Sequence, residues 1–488
     1  MPDFQVADRD VALVRDLLET TAEGHVVEFK HNNADGKMIG KLISALSNSA
    51  RKDNKPFAYI VWGVEDGSHN PVGTSFDPGL KKMGNQPLQI WLSSQLHPRV
   101  DFTFRKIDYE GVVLVLMEIP PALNAPVEFE RTAYIRVGEA TPRLSDNAQA
   151  QAALWRELNS FAWETDVAKQ FVTADEVLDL IDYPKYFELN KIPLPDNRAG
   201  IFERLAADDI IEKDVGQNWN ITNLGAILFA KRLSDISGSI ARKGVRFVQY
   251  DGATKADTVV NRHDGAMGYA NGFEGLMVYI NGLLPKNEHI GQALREETTL
   301  YPEIALRELV ANAIIHQDMT VTGAGPQIEM FSDRIEITNP GEPLVDPNRF
   351  LDLPPRSRNE ALASAMRRMG FCEEQGSGVD KVLFAVELHR MPAPDFRHEH
   401  DSVKVILYAP RRFANMTPSE RIRACYLHAA LKWVNGGRMK NATLCERFGI
   451  NSKNAAQASN VIRQTLEENL IKHADPEHPR AGYLPFWA

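Results

Sequence analysis

Two short stretches carry the residue types from which phosphate chemistry is built. The first is Glu23-Gly-His-Val-Val-Glu-Phe-Lys30, two carboxylates five apart with a lysine two residues past the second. Side chains alternate along a strand, so Glu28 and Lys30 share a face, and Glu23 joins them only if Gly24 bends the chain. Clustered carboxylates with a lysine are a common means of holding Mg²⁺ or Mn²⁺ against a phosphodiester, where the metal supplies an activated water and charge stabilisation. Read bare, the pattern fits a solvated strand end better. The second stretch is Tyr301-Pro-Glu-Ile-Ala-Leu-Arg-Glu-Leu-Val-Ala-Asn-Ala313. Pro302 suits a first helical turn, and Ile304, Leu309 and Ala313 give the helix an apolar side. Glu308 and Asn312, four apart, stack on one face. Such a carboxylate and amide oxygen suit a hydrated Mg²⁺ bridging nucleotide phosphates, because Mg²⁺ takes few protein oxygens. Some sixty residues on, Glu374-Gln-Gly-Ser-Gly-Val379 offers a backbone that can wrap a phosphate with amide N–H groups. Either piece alone would read as a surface helix or a glycine turn.

The elements that must position these residues follow from apolar patterning. Residues 7–160 alternate short strands (25–30, 57–64, 112–119, 133–137) with helical stretches such as 37–48, an α/β or α+β unit. Residues 161–290 form a mixed, partly winged-helix-like region, with helices at 174–183 (capped by Thr173), 196–207 and 272–284 and a strand at 244–250. Residues 291–412 form a second α/β unit, with a helix from Pro302 and strands near 328–331 and 334–338. From 413 to 488 the pattern is helical, opened by the capping box Thr417-Pro-Ser-Glu420 and closed by a turn-rich end. The 488 residues, 43% hydrophobic and 25% charged, suit a soluble multidomain protein of α/β and α+β class. The longest apolar runs, such as 111–117, fall short of the roughly 20 residues of a membrane span. With no leader pattern and three scattered cysteines (Cys372, Cys425, Cys445), the expectation is a cytoplasmic protein without disulfides or membrane. Net charge is −10, yet residues 411–488 carry 12 basic against 6 acidic residues, a local footprint for nucleic acid on an acidic body. There the segment 452–467 offers Lys453, Asn454, Gln457, Asn460 and Arg463 on one side of a helix.

Two family resemblances follow from these motifs. Residues 23–30, with Ile43-Ser-Ala-Leu-Ser-Asn48, Ile60-Val-Trp-Gly-Val-Glu-Asp-Gly67, Pro71-Val-Gly73 and Tyr134-Ile-Arg-Val-Gly138, occur in the order of the Schlafen/AlbA-type domain, covering about residues 10–145. The resemblance implies nucleic-acid binding and, as in Schlafen proteins, a three-acid site that cleaves RNA. Glu23 and Glu28 match the first two acids, with Lys30 beside them. The third normally follows an Asn-Thr pair. Here Asn48-Ser-Ala-Arg-Lys-Asp53 stands in its place, making Asp53 the candidate and Asp66 the runner-up.

The later motifs resemble the GHKL ATP-binding fold, and more closely its divergent helicase-related branch found behind Schlafen/AlbA-type domains, over about residues 224–407. Glu308 and Asn312 match the N-box, and Gly376 and Gly378 the glycine box of the lid. The run 307–318 has Gln317 where the branch has Arg, and Asn339-Pro-Gly341 replaces the D-x-G-x-G box and its adenine-contacting Asp. Helix, turn, helix and a wing-like end at the C-terminus resemble a winged helix. The implied cofactors are ATP with Mg²⁺ or Mn²⁺, and the implied partner is RNA or DNA, contacted by Lys30, Arg136 and the C-terminal helix. A lid-closing site also makes a homodimer or higher homo-oligomer an expectation. Two functions stay open: a nucleotide-gated nucleic-acid-binding protein, extending to a metal-dependent RNase in phage defence or stress, or an ATP-sensing, DNA-binding transcriptional regulator without catalysis.

Overall fold

An apolar run without polar alternation, such as Val112–Ile119, belongs in a sheet covered on both faces. The computed structural model describes residues 3–20, 24–65, 68–123, 125–159, 163–214, 218–290, 295–354, 356–372 and 378–488. The chain divides into two units, residues 1–162 with 213–220, and residues 163–212 with 221–488.

In the first unit, helix α1 (Asp3–Thr20) precedes strand β1 (Val27–Lys30), helix α2 (Gly36–Lys52), and strands β2 (Ala58–Trp62), β3 (Thr103–Tyr109) and β4 (Val112–Ile119). The sheet order is β1-β2-β4-β3, with β1 and β2 parallel and the other pairs antiparallel. The period of two sorts the apolar run onto two faces. Ile60, Trp62, Val115 and Met117 meet Ile39, Leu42, Ile43 and Leu46 of α2. Val61, Leu114 and Leu116 meet Leu13, Val14 and Leu17 of α1.

Helix α2 does more than cover the sheet. Its buried Asn48 donates to the carbonyls of Val127 (2.9 Å) and Tyr134 (2.8 Å) and accepts from the Val127 N–H (2.7 Å). Ser44 and Ser49 accept from the N–H groups of Tyr134 and Arg136. These bonds explain why 133–137 is not the continuous strand expected. A strand covers only Thr132–Ala133, and the chain beyond makes isolated pairings at Tyr134 and Val137, because its backbone groups are satisfied by α2 side chains.

The second unit begins with helices α3 (Ala174–Leu180) and α4 (Tyr183–Leu189), where one helix over 174–183 was expected. Ile181 ends the first in an extended conformation and Asp182 caps the second, with Pro184 in its first turn. Helix α5 (Arg198–Ala207) is capped by Asn197. A six-stranded sheet then combines β5 (Arg246–Tyr250), β6 (Val259–Asp264), β7 (Gln327–Met330), β8 (Arg334–Pro340), β9 (Asp395–Glu399) and β10 (Ser402–Tyr408) in the order β6-β5-β7-β8-β10-β9. Helix α6 (Tyr269–Leu283) precedes α7 (Glu303–Ile315), which lies against β8. Leu309 and Ala313 of α7 are buried as expected, but Ile304 is 51% exposed. Helices α8 (Glu360–Arg368) and α9 (Gly378–Leu388) complete this part, α9 packing along α7.

The chain ends in α10 (Pro418–Val434), α11 (Asn441–Phe448), α12 (Ala455–Glu467) and the antiparallel pair β11 (Ile471–His473) and β12 (Tyr483–Pro485). The Thr417/Glu420 capping box opens α10, and Gly449 closes α11 in the left-handed conformation. No helix among the described residues is long and apolar enough to cross a membrane.

Asn48→Ala leaves the Val127 N–H and the Tyr134 carbonyl without these partners, each costing about 1–3 kcal/mol, while the Val127 carbonyl keeps its bond from Ser44. Urea denaturation should show at least about 2 kcal/mol of destabilisation. A loss below about 1 kcal/mol would mean that the α2 side chains do not organise the 127–136 segment.

Candidate functional site

Strand β1 delivers Glu28 to a buried position, 6% exposed, between two cations. Its Oε1 lies 2.6 Å from Lys30 Nζ and its Oε2 2.7 Å from Arg136 Nη2. The shared face of Glu28 and Lys30 is as the alternation requires. Arg136 is 1% exposed; its Nε donates to the Gly24 carbonyl (3.1 Å) and its Nη1 to Thr141 Oγ1 (3.1 Å). Its guanidinium therefore faces the interior, where it neutralises Glu28 and ties down the turn before β1. A phosphate-anchoring role would need that guanidinium at the surface.

Asp53, at the C-terminal end of α2, pairs with His25 Nδ1 (2.8 Å) through one oxygen and Lys52 Nζ (2.9 Å) through the other. The sequence reading missed the His25 and Lys52 partnerships, which join residues 28 apart and adjacent in the chain without any motif spacing. Glu23 and Asp66 lie outside the described residues. Among the described residues no group of three or more His, Cys, Asp or Glu side chains is gathered as a metal site. Glu28 and Asp53 are already balanced by cations, so the described donor set does not fit a divalent ion.

In the second unit, one cavity of about 510 Å³ brings the later motif residues together. Helix α7 contributes Glu308 and Asn312, β8 contributes Asn339, and Gly378 begins α9. Asn312 hydrogen-bonds Glu308, whose carboxyl is held above the usual range by burial, against the lowering effects of that bond and of Lys381 and Arg307. A Cβ on Gly378 would fall 1.9 Å from Glu308 Oε1, so only glycine lets α9 start so close to α7. Gly341, at φ +108°, turns the chain after Asn339-Pro; a Cβ there would come 2.6 Å from Asp318 Cβ. Gly376 lies outside the described residues. Gln317 is fully buried and donates to Tyr269 Oη and the Ile314 carbonyl.

Sequence reading missed the rest of the lining. Arg356, Arg358 and Arg367 bring three guanidinium groups from the loop before α8 and from α8 itself, and Phe350 and Phe396 add aromatic surface. No short motif contains them, since they are spread over some fifty residues. Burial, with Arg358 and Arg367 nearby, holds His316 below the ordinary imidazole value. Cys372, also on the wall, is pushed up to about 11 by burial and the Glu308 charge, so it is a poor nucleophile. A carboxylate and an amide beside a glycine-led helix, facing guanidinium groups across an apolar cavity, can hold an anionic ligand with a hydrated Mg²⁺.

At the C-terminal end the helix expected over 452–467 begins only at Ala455: Lys453 and Asn454 are exposed in the separate turn Ser452–Asn454 before it, and Gln457 and Asn460 are exposed on α12. Arg463 is exposed too, but its guanidinium binds Glu467 (2.6 Å) and Asn460 Oδ1 (2.7 Å).

Glu308 gives a stability test. Its raised pKa means that the folded state favours the protonated form, so its contribution is complete below the ordinary carboxylate range and is lost as pH rises through the folded value. Glu308→Gln should melt at a higher temperature than wild type at pH 8, the gap closing as pH falls toward 4.5. An equal gap at both pH values would show that the buried charge is not the cause.

Residues 23–145 match the family model described as "Schlafen, AlbA_2". Residues 323–407 match HATPase_c_4, described as "Putative ATP-dependent DNA helicase recG C-terminal". The second match contains Asn339, Gly341, Gly376 and Gly378 and begins after Glu308 and Asn312. No curated protein matches the sequence. Among solved structures, the DIP2311 protein from Corynebacterium diphtheriae is 16% identical, with 98% of this chain and 97% of that chain covered and a TM-score of 0.42. The chain thus carries a Schlafen/AlbA-type domain, of a kind associated with nucleic-acid binding, and an ATPase-like domain of nucleotide-binding type.

Proposed function

We propose that this protein is a nucleotide-gated nucleic-acid-binding protein. The observation that carries the reading is the convergence of Glu308, Asn312, Asn339 and Gly378 on one cavity, from stretches up to seventy residues apart. Asn312 and Glu308 would hold a hydrated Mg²⁺, which supplies charge neutralisation to the phosphates when bound. Arg356, Arg358 and Arg367 meet the remaining negative charge.

A route for gating is built into α9. Its first residues line the cavity, and near its other end Glu387 lies 3.0 Å from His428 Nδ1 of α10 and 3.4 Å from Arg447 Nε of α11. A shift of α9 on ligand binding would carry through these contacts to the C-terminal helices, near which Lys453, Asn454 and Gln457 are exposed. Asn312→Ala, titrated with Mg-ATP by calorimetry, should bind at least about a hundredfold more weakly than wild type, given the loss of both a metal ligand and the Glu308 contact. Wild-type protein that binds no nucleotide would overturn the reading.

A second reading, metal-dependent RNA cleavage, rests on the Schlafen/AlbA-type match over residues 23–145, since the described carboxylates do not themselves fit a divalent ion. It requires Glu28 to leave its cation pair for a metal. Incubation with tRNA, single-stranded DNA and duplex DNA, with and without Mn²⁺, should then show cleavage that Glu28→Gln eliminates while nucleotide binding persists. Wild type and variant equally inert, with nucleic acid still bound, would leave the carboxylates structural and favour an ATP-sensing transcriptional regulator.

A further inference from the structure

A strand at the end of a sheet offers half of its backbone N–H and C=O groups to whatever lies beyond it, so such edges are usually covered, bent away or made self-repelling by charge. The six-stranded sheet of the second unit ends in β9 on one side and β6 on the other. The turn Pro347–Arg349 packs against β9, whereas five of the six β6 residues are exposed. Strand β6 runs antiparallel to β5, with Arg262 opposite Val248 and Asp264 opposite Arg246. Just past its end, the Gly265 N–H donates to the Val245 carbonyl at 2.8 Å. Pairing alternates along an antiparallel ladder, so Asn261, His263 and Gly265 turn their backbone groups toward β5, and Arg262 and Asp264 turn theirs outward. The one irregularity of the pairing, at Gln249/Tyr250, lies short of this stretch.

We propose that this edge is an interface with a second copy of the chain, β6 lying antiparallel to the second copy's β6 so that two six-stranded sheets become one. A two-fold axis can match the outward-turned residues in three registers. Centred on Arg262, it sets Arg262 against Arg262. Centred on Asp264, it sets Asp264 against Asp264. Centred on His263, it sets Arg262 of each copy opposite Asp264 of the other. Charge selects this third register, in which two opposite-charge pairs and the backbone bonds of two residue pairs form together. Within one copy Asp264 already lies 3.0 Å from Arg262 and 3.3 Å from Arg246, but Arg262 is 61% and Asp264 57% exposed. A carboxylate has acceptor sites to spare, so a second guanidinium adds to these pairs without displacing them. The same pairing brings Val259 and Val260 of one copy beside Ala266 and Met267 of the other; both valines and Met267 are 49% exposed.

Sedimentation velocity on the full chain should show a species of twice the 54.7 kDa chain mass as concentration rises into the tens of micromolar. Arg262→Asp sets acid against acid at both pairs, and Asp264→Arg sets base against base, so each variant alone should dimerise at least about tenfold more weakly. Mixed in equal amounts, the two variants should associate about as well as wild type, because the new Asp of one then faces the new Arg of the other. A wild type still monomeric at about 0.5 mM overturns the proposal, as does a dimer that either variant leaves unchanged. A mixture no more associated than its components overturns it too; damage to the fold of either variant is not mended by mixing, so rescue reports on the interface alone. If the charge variants fail to fold, His263→Cys decides. It places two thiols across the axis with Cα atoms about 4.5 Å apart, within disulfide reach. A covalent dimer on mild oxidation, absent from wild type, is the expected result, and its failure to form overturns the proposal.

Discussion

Everything at the cavity of the second unit depends on how closely α9 starts against α7. The missing side chain at Gly378 leaves room for the Glu308 carboxylate, and the Glu308–Asn312 pair then faces the cavity instead of solvent. The closeness has a cost, because Glu308 is desolvated and its charged form disfavoured. Functional sites commonly hold such charges against their preference, and packing elsewhere must compensate. Here the compensation is the apolar contact of α7 with α9 and with the sheet beneath it.

The first unit solves the opposite problem. Glu28 is as buried as Glu308 but is flanked by Lys30 and Arg136, so its charge is neutralised locally. Buried ion pairs of this kind contribute little net stability against an apolar replacement, but removing one partner is costly, about 3–5 kcal/mol. Arg136 also reaches the Gly24 carbonyl and, through its backbone N–H, Ser49 of α2. One arginine thus joins the turn before β1, the strand itself and the helix that covers it.

Much of this arrangement was legible in the sequence, and the limits are physical. Periodicity placed α7, the 112–119 strand and the C-terminal helices, because each buries a regular apolar face. The four-residue spacing of Glu308 and Asn312 is a helical property and led directly to their shared cavity. What stayed hidden came from side chains acting on distant backbone. Asn48 and Ser44 replace strand pairing over 133–137, and no local pattern in either segment announces it. Arg136 looked like a surface cation because a lone arginine gives no sign of a buried carboxylate more than a hundred residues earlier. The arginines of the cavity wall were hidden for the same reason, since they come from a loop and a helix whose relation to α7 is purely tertiary.

The anchoring of α9 at its far end bears on how this chain could have been assembled. Leu383 and Ala393 share an apolar core with Met416, Cys425, Leu444 and Val461. Arg447 is buried beside Glu387 and donates to the Met391 carbonyl. The last seventy-odd residues are therefore not a detachable tail. Cutting the chain after residue 412 would strip the cover from one side of α9 and leave Glu387 without Arg447 and His428. The boundary at residue 412 is one of sequence pattern only; the segments on its two sides share one apolar core.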